Sequence, residues 1–205
     1  MLGGTLALFA VDEPTRKLAI DHNGGAYDGI ANLGREYGRE IYGLSAAAGF
    51  YLAGLVIDDR WSRETGVLLV ESIVFSGVVT SAAKTLLGRS RPFAEEGNLR
   101  FRLMQFRTAT TSLPSGHATV AFAVSTVLAG RFKNVYASII LYSLATITSL
   151  SRLYHDAHWI SDVFLGSAIG ACVGWQVLAL HGEATPNVVL TPSAYPLGIS
   201  VKLQM

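Results

Sequence analysis

Val163-FLGSAIGACVGWQVLA-Leu180 is eighteen residues long and carries no charge, and it sets the fold class. At a rise of about 1.5 Å per residue, a helix of this length nearly spans the roughly 30 Å hydrocarbon layer of a bilayer. Four further charge-poor segments precede it. Ile41–Ile57 is uncharged and stops at Asp58-Asp59-Arg60. Gly66–Leu87 is apolar apart from Glu71 and Lys84 and stops at Gly88, a good helix terminator. Ala118–Gly130 follows a proline and ends at Arg131-Phe132-Lys133-Asn134, and Val135–Leu150 is continuous. Leu2–Val11 is a shorter sixth candidate.

Composition supports a membrane reading. Of the 205 residues, 50% are hydrophobic and 15% charged, whereas a soluble domain carries roughly 25% charge. Five successive apolar helices are hard to bury in one another at this size, so a polytopic transmembrane bundle with five to six core helices is expected over a soluble one. A carboxylate facing lipid is costly, and Glu71 is the residue that favours the soluble alternative. The chain divides into an N-terminal helical or interfacial segment (1–40), a core (41–181) and a polar, proline-containing C-terminal tail (182–205). Alternating Ile199, Val201, Leu203 and Met205 in that tail suit a short strand or a loose end.

A formal net charge of +1, from sixteen basic and fifteen acidic residues, lacks the broad positive field that nucleic-acid binders use. Nucleic acid is therefore excluded as a partner. Cys172, the single cysteine, allows no intrachain disulfide and is expected to be a buried small hydrophobe. The opening MLGGTLALFAVDEP has no positive start and no clear cleavage site, a poor match to a signal peptide.

If the five segments run up and down, the ends of the second and fourth and the starts of the third and fifth meet on one face. Polar residues crowd at those ends: Lys84, Arg89, Arg91 and Pro92; Pro114, Ser115, Gly116 and His117; Ser151 and Arg152; His158 and Asp162. Lys84, Arg91 and Arg152 supply fixed cations, and guanidinium forks grip paired phosphate oxygens. Ser115 and Gly116 stand where a helix begins, so its unpaired N–H groups can face an anion at close range. His158 and Asp162, four apart, would share a helix face. The carboxylate would then hold one ring nitrogen and leave the other unprotonated, as a nucleophile or base requires. His117 could then protonate a leaving oxygen. Spacing alone leaves the two histidines interchangeable.

The same residues admit other readings. His155, His158 and Asp162 could ligate a metal, but His155 falls off the His158–Asp162 face and the local arginines would repel a cation. His155 and Asp156 read as loop residues, and His22 and His181 as surface or interface histidines without sequence partners. Arg100, Arg102, Met104, Phe106 and Trp159 are candidates to touch a headgroup or chain.

These residues resemble the type 2 phosphatidic acid phosphatase superfamily, whose signature has three parts. Here the parts are Lys84-TLLGRS-Arg91-Pro92, Pro114-Ser115-Gly116-His117 and Ser151-Arg152-LYHDA-His158-WIS-Asp162, with every fixed position filled. The resemblance implies that His158 is the nucleophile, Asp162 its orienting partner and His117 the general acid. It implies that Lys84, Arg91, Ser115, Gly116 and Arg152 bind the phosphoryl group, with no metal and no cofactor. Size and hydrophobicity favour its bacterial membrane branch over the haloperoxidases, with a lipid phosphate as substrate and the bilayer as surroundings. The short connections carry Arg60, Arg63, Arg131 and Lys133, which favours their placement in the cytoplasm. The active face would then look into the periplasm from the inner membrane. Alternatives are a soluble or peripheral acid phosphatase acting on small esters and a catalytically silent anion-binding membrane protein. The sequence fixes no oligomeric state.

Overall fold

The computed structural model describes residues 2–183, 189–193 and 198–202. Its body is all-helical. Three short helices come first, α1 (Leu2–Leu8), α2 (Asp12–Asp21) and α3 (Asp28–Tyr37). Five long ones follow, α4 (Glu40–Val56), α5 (Arg60–Leu87), α6 (Gly116–Phe132), α7 (Val135–Tyr154) and α8 (Ile160–Leu180). An antiparallel pair, β1 (Val189–Ser193) and β2 (Gly198–Lys202), lies beyond them. The strand expected from the alternation at Ile199 and Val201 is therefore present; Leu203 and Met205 lie outside the described residues.

The long helices begin and end where local chemistry dictates. Asp59 caps α5 by accepting from the Ser62 N–H at 2.8 Å, and Asn134 caps α7 by accepting from Tyr136 and Ala137. Gly88 closes α5 in the left-handed region at φ +57°. A Cβ there would collide with the Arg102 carbonyl, whose chain pairs back onto the turn through the Arg102 N–H and Gly88 carbonyl. This turn sends Arg89 inward.

Helix α6 is the hub, buried along nearly its whole length. Val120, Val124, Val127 and Leu128 form the core with Leu68, Leu69 and Ile73 of α5, Val177 and Leu178 of α8 and Ala47 of α4. Its closest partner is α8, and the reason is a stripe of glycines one turn apart. A Cβ on Gly166 would strike the Ser115 carbonyl, one on Gly170 the Thr119 carbonyl, and one on Gly174 would stand 2.9 Å from the Ala123 carbonyl. Small residues at this spacing let two helix backbones touch, the usual device where lipid supplies no hydrophobic drive between helices.

The outward faces are apolar. Helices α5 and α8 are long and apolar enough to cross a membrane, yet only 39% of the apolar window of each is buried. A core helix of a soluble protein would be mostly buried. On α5 the exposed stripe runs through Val67, Val70, Val74, Phe75, Val78 and Val79. Cys172 is exposed on α8, a correction to its expected burial; an apolar exterior accepts a small thiol as readily as a core does. Glu71 is not left alone, because His181 lies 2.9 Å from it. His181 is exposed, as expected of a surface histidine.

Candidate active site

The predicted polar ends do share one end of the bundle, and the intervening loop holds them there. From Gly88 to Ser115 the chain is pinned by backbone bonds: Ser90 N–H to Arg100, Arg91 N–H to Ala109, and Ser112 N–H to Arg89, each at 2.9 Å. Lys84 reaches from the last turn of α5 and donates to the Thr111 carbonyl at 2.8 Å. Its stem lies beside Gly116, whose absent Cβ would sit 3.8 Å from Cε. The Ser115 N–H donates to the Asp162 carbonyl at 3.0 Å, which ties the start of α6 to the start of α8. Gly38, at the corner between α3 and α4, abuts His117: a Cβ there would lie 3.0 Å from the His117 Cβ.

Donors accumulate in this pocket without protein acceptors. Arg91 Nε, Arg152 Nε and Nη1 and the Ser115 hydroxyl are buried with no hydrogen-bond partner among the described residues. Buried polar groups are almost always paired, so a cluster of orphaned donors can accommodate an anion. His117 lies within electrostatic range of Arg152, Arg91 and Lys84, and His158 within range of Lys84 and Arg91. All eight predicted residues thus belong to one constellation. Among the described residues no three His, Cys, Asp or Glu side chains form a metal-ligand set. Asp156 instead makes a two-pronged pair with Arg16 at 2.7 and 2.8 Å.

The His158–Asp162 relationship differs from the one expected. Helix α8 begins at Ile160, so His158 precedes it and the two do not share a helical face. The turn delivers them together all the same, with His158 Nδ1 3.7 Å from Asp162 Oδ2, too far for a hydrogen bond. Ser112 bridges them: its hydroxyl lies 3.4 Å from Nδ1 and donates to Asp162 Oδ2 at 2.5 Å. This arrangement assigns the Nδ1 proton and leaves Nε2 with a lone pair. Burial pushes the His158 imidazole down to about 3; Asp162 opposes that, and Lys84 and Arg91 add to it. The ring is neutral at ordinary pH. Asp162 also accepts from the Trp159 N–H at 2.9 Å, the backward half of a helix cap.

Two named candidates change role. Trp159 is buried and donates to the Ser90 carbonyl at 2.9 Å, so it supports the loop and cannot touch a headgroup. Arg102 is engaged by Glu96 at 2.6 and 2.7 Å, which holds the Glu96 carboxyl down at about 2. Arg89, one of the polar residues at the end of the second segment, is fully buried and pairs with Asp12 and Asp162. Ser112, Ser161 and Asp12 were missed by sequence reasoning. Each is a small polar residue outside any periodic pattern, and only the fold reveals its neighbours.

Beside the pocket an apolar trough of about 780 Å³ separates α7 from α8. Leu150, Leu153, Ile160, Val163 and Phe164 line it, Phe122 of α6 contributes to its wall, and Gly4 and Leu8 of α1 stand at its edge. Leu153 follows Arg152 and Ile160 lies two residues past His158, so the trough reaches the polar end.

Fold and pocket together define a helical protein with unpartnered arginine and serine donors and two histidines at one end of the bundle. The PAP2 superfamily model matches residues 65–186, and the chain belongs to that superfamily. It is 28% identical over 179 residues to a protein named lipid A 1-phosphatase from Porphyromonas gingivalis, an alignment covering 85% of this chain and 36% of that one. Its fold is that of a transmembrane PAP2-type phosphatidylglycerolphosphate phosphatase from Bacillus subtilis, with a TM-score of 0.71 at 18% identity over 90% of this chain and 95% of that one. Aquifex aeolicus LpxE superposes with a TM-score of 0.65 at 22% identity, over 82% and 95% of the two chains. The chain spans little more than a third of the Porphyromonas relative's length.

Proposed function

We propose that this protein is a membrane-embedded phosphatase that removes phosphate from a lipid phosphomonoester or diphosphate through a phosphohistidine, without a metal. The observation that carries the reading is the set of orphaned donors on Arg91, Arg152 and Ser115, gathered beside two histidines. His158 Nε2 attacks phosphorus; a P–N bond forms as the P–O bond to the lipid breaks. His117 passes a proton to the departing oxygen. Water, giving a proton back to His117, then attacks the phosphohistidine and releases inorganic phosphate. Lys84, Arg91, Arg152, the Ser115 hydroxyl and the Gly116 N–H hold the three equatorial oxygens and favour the five-coordinate state.

The apolar outer faces of α5 and α8 support an inner-membrane location. Arg60, Arg63, Arg131 and Lys133 at the far end support a cytoplasmic position for that end and a periplasmic one for the pocket. The name of the Porphyromonas relative makes lipid A-type phosphates the first substrates to try. The test is phosphate release by purified protein in detergent from a panel of lipid phosphates and a water-soluble ester, in excess chelator. The highest kcat/KM is expected for a lipid, with inhibition by vanadate. Preference for the soluble ester, or activity lost on chelation and restored by a divalent ion, would overturn the reading.

His117→Ala separates the two histidines. With a lipid alkoxide as leaving group its turnover is expected to fall by about 10²- to 10⁴-fold. With a nitrophenyl ester, whose leaving group needs no proton, phosphoenzyme should still form. Equal losses on both substrates would remove His117 from the acid role.

A further inference from the structure

Behind Asp162, on the side away from the phosphate pocket, lies a second charged residue that the motifs do not contain. Asp12, the first residue of α2, is 1% exposed, and Arg89 and Asp162 are fully buried. Arg89 bridges the two carboxylates, with Nη2 at 2.5 Å from Asp12 Oδ2 and Nη1 at 2.6 Å from Asp162 Oδ1. Asp12 also accepts from the Ser161 N–H at 3.0 Å and the Ser161 hydroxyl at 2.8 Å, while Ser161 Oγ receives Arg89 Nη1 at 2.7 Å. The Asn98 amide lies 3.5 Å from the same carboxylate, and the Phe9 ring stacks on the guanidinium at 4.4 Å. A second tie, Arg16 to Asp156, fixes α2 to the other end of the loop that carries His158.

Charge counting gives this cluster a purpose. A buried Arg89 paired with Asp162 alone would neutralise the carboxylate that faces His158. Asp12 shares the guanidinium, so Asp12, Arg89 and Asp162 together carry one net negative charge. That charge is available to stabilise the positive imidazole ring that develops as His158 bonds to phosphorus. Resting on the phosphatase reading above, we infer that Asp12 is a positioning residue for the reaction. Through Arg89 it keeps Asp162 fully anionic and aligned behind His158, and so makes the N-terminal segment part of the active site.

Asp12→Asn makes the cluster neutral while keeping an acceptor for the Ser161 N–H. The expected result is a fall in kcat of about 10²-fold, with the inhibition constant for inorganic phosphate unchanged, because the anion pocket is built from other residues. The double variant Asp12→Asn/Arg89→Gln restores the net negative charge beside His158 and is expected to recover about tenfold of that loss. Ser161→Ala, which removes a hydroxyl but no charge, tests the same link under a milder change and should lower kcat about three- to tenfold, again without affecting phosphate inhibition. Thermal midpoints in detergent accompany each assay. The inference is overturned if Asp12→Asn or Ser161→Ala keeps wild-type kcat, if kcat and phosphate inhibition weaken together, or if the double variant is no better than Asp12→Asn. Wild-type protein that hydrolyses no ester in the panel would sink the phosphatase reading and this role with it; an active wild type with an indifferent Asp12 would sink the role alone.

Discussion

His158→Ala is expected to abolish phosphate release and phosphoenzyme together, with turnover falling by about 10⁴-fold or more. The position of the ring decides this. Its Nδ1 edge is committed to Ser112 and Asp162, and its surroundings hold it neutral. On this ring only Nε2 is available to bond phosphorus, and it shares the pocket with the orphaned donors of Arg91 and Arg152. Trapping with ³²P-labelled substrate and acid-stability analysis of the labelled protein provide the check. A labelled His158→Ala protein, or one retaining a tenth of wild-type turnover, would move the nucleophile elsewhere.

Gly170→Leu is expected to have the next largest effect, although residue 170 touches no phosphate. The Cβ would meet the Thr119 carbonyl, with the Thr119 carbonyl carbon at 2.9 Å and the Ala123 nitrogen at 3.0 Å. These are backbone atoms of α6 and cannot swing aside, so the helices must separate. Overpacking of this kind costs about 1–3 kcal/mol or more, a drop of roughly 5 to 10 °C in the melting midpoint. Separation also pulls His117, on α6, away from His158, just before α8, by straining the bond from the Ser115 N–H to the Asp162 carbonyl that ties the two helix starts. Activity should therefore fall by more than about 10²-fold even where the variant stays folded. Unchanged melting and kcat would show that the seam between α6 and α8 can open harmlessly.

Legibility followed physics closely. Charge-poor stretches marked all five long helices because apolar side chains on outward and inward faces alike leave few polar gaps to mistake. The start of α5 was placed six residues late, at Gly66, since Arg60, Arg63 and Glu64 occupy helical positions at a polar end. Helix α7 runs on past Leu150 to Tyr154, carrying Ser151 and Arg152 within its last turn. The gathering of Lys84, Arg91, Arg152 and both histidines at one end of the bundle was legible from their spacing at helix ends. Asp12 was not: a lone acid after an apolar run looks like any solvated helix start, and its partners lie 77 and 149 residues away. Ser112 was hidden for the same reason, as was the approach of α6 to α8, which depends on what glycine lacks.

The trough between α7 and α8 bears on where the products go. On the lipid reading, the tail rests along Val163 and Phe164 while the headgroup is cut at the polar end. The alcohol left behind stays dissolved in oil, and inorganic phosphate diffuses into water. Once the two have parted into immiscible solvents, their re-encounter is rare, and hydrolysis is drawn forward by partition as well as by bond energy.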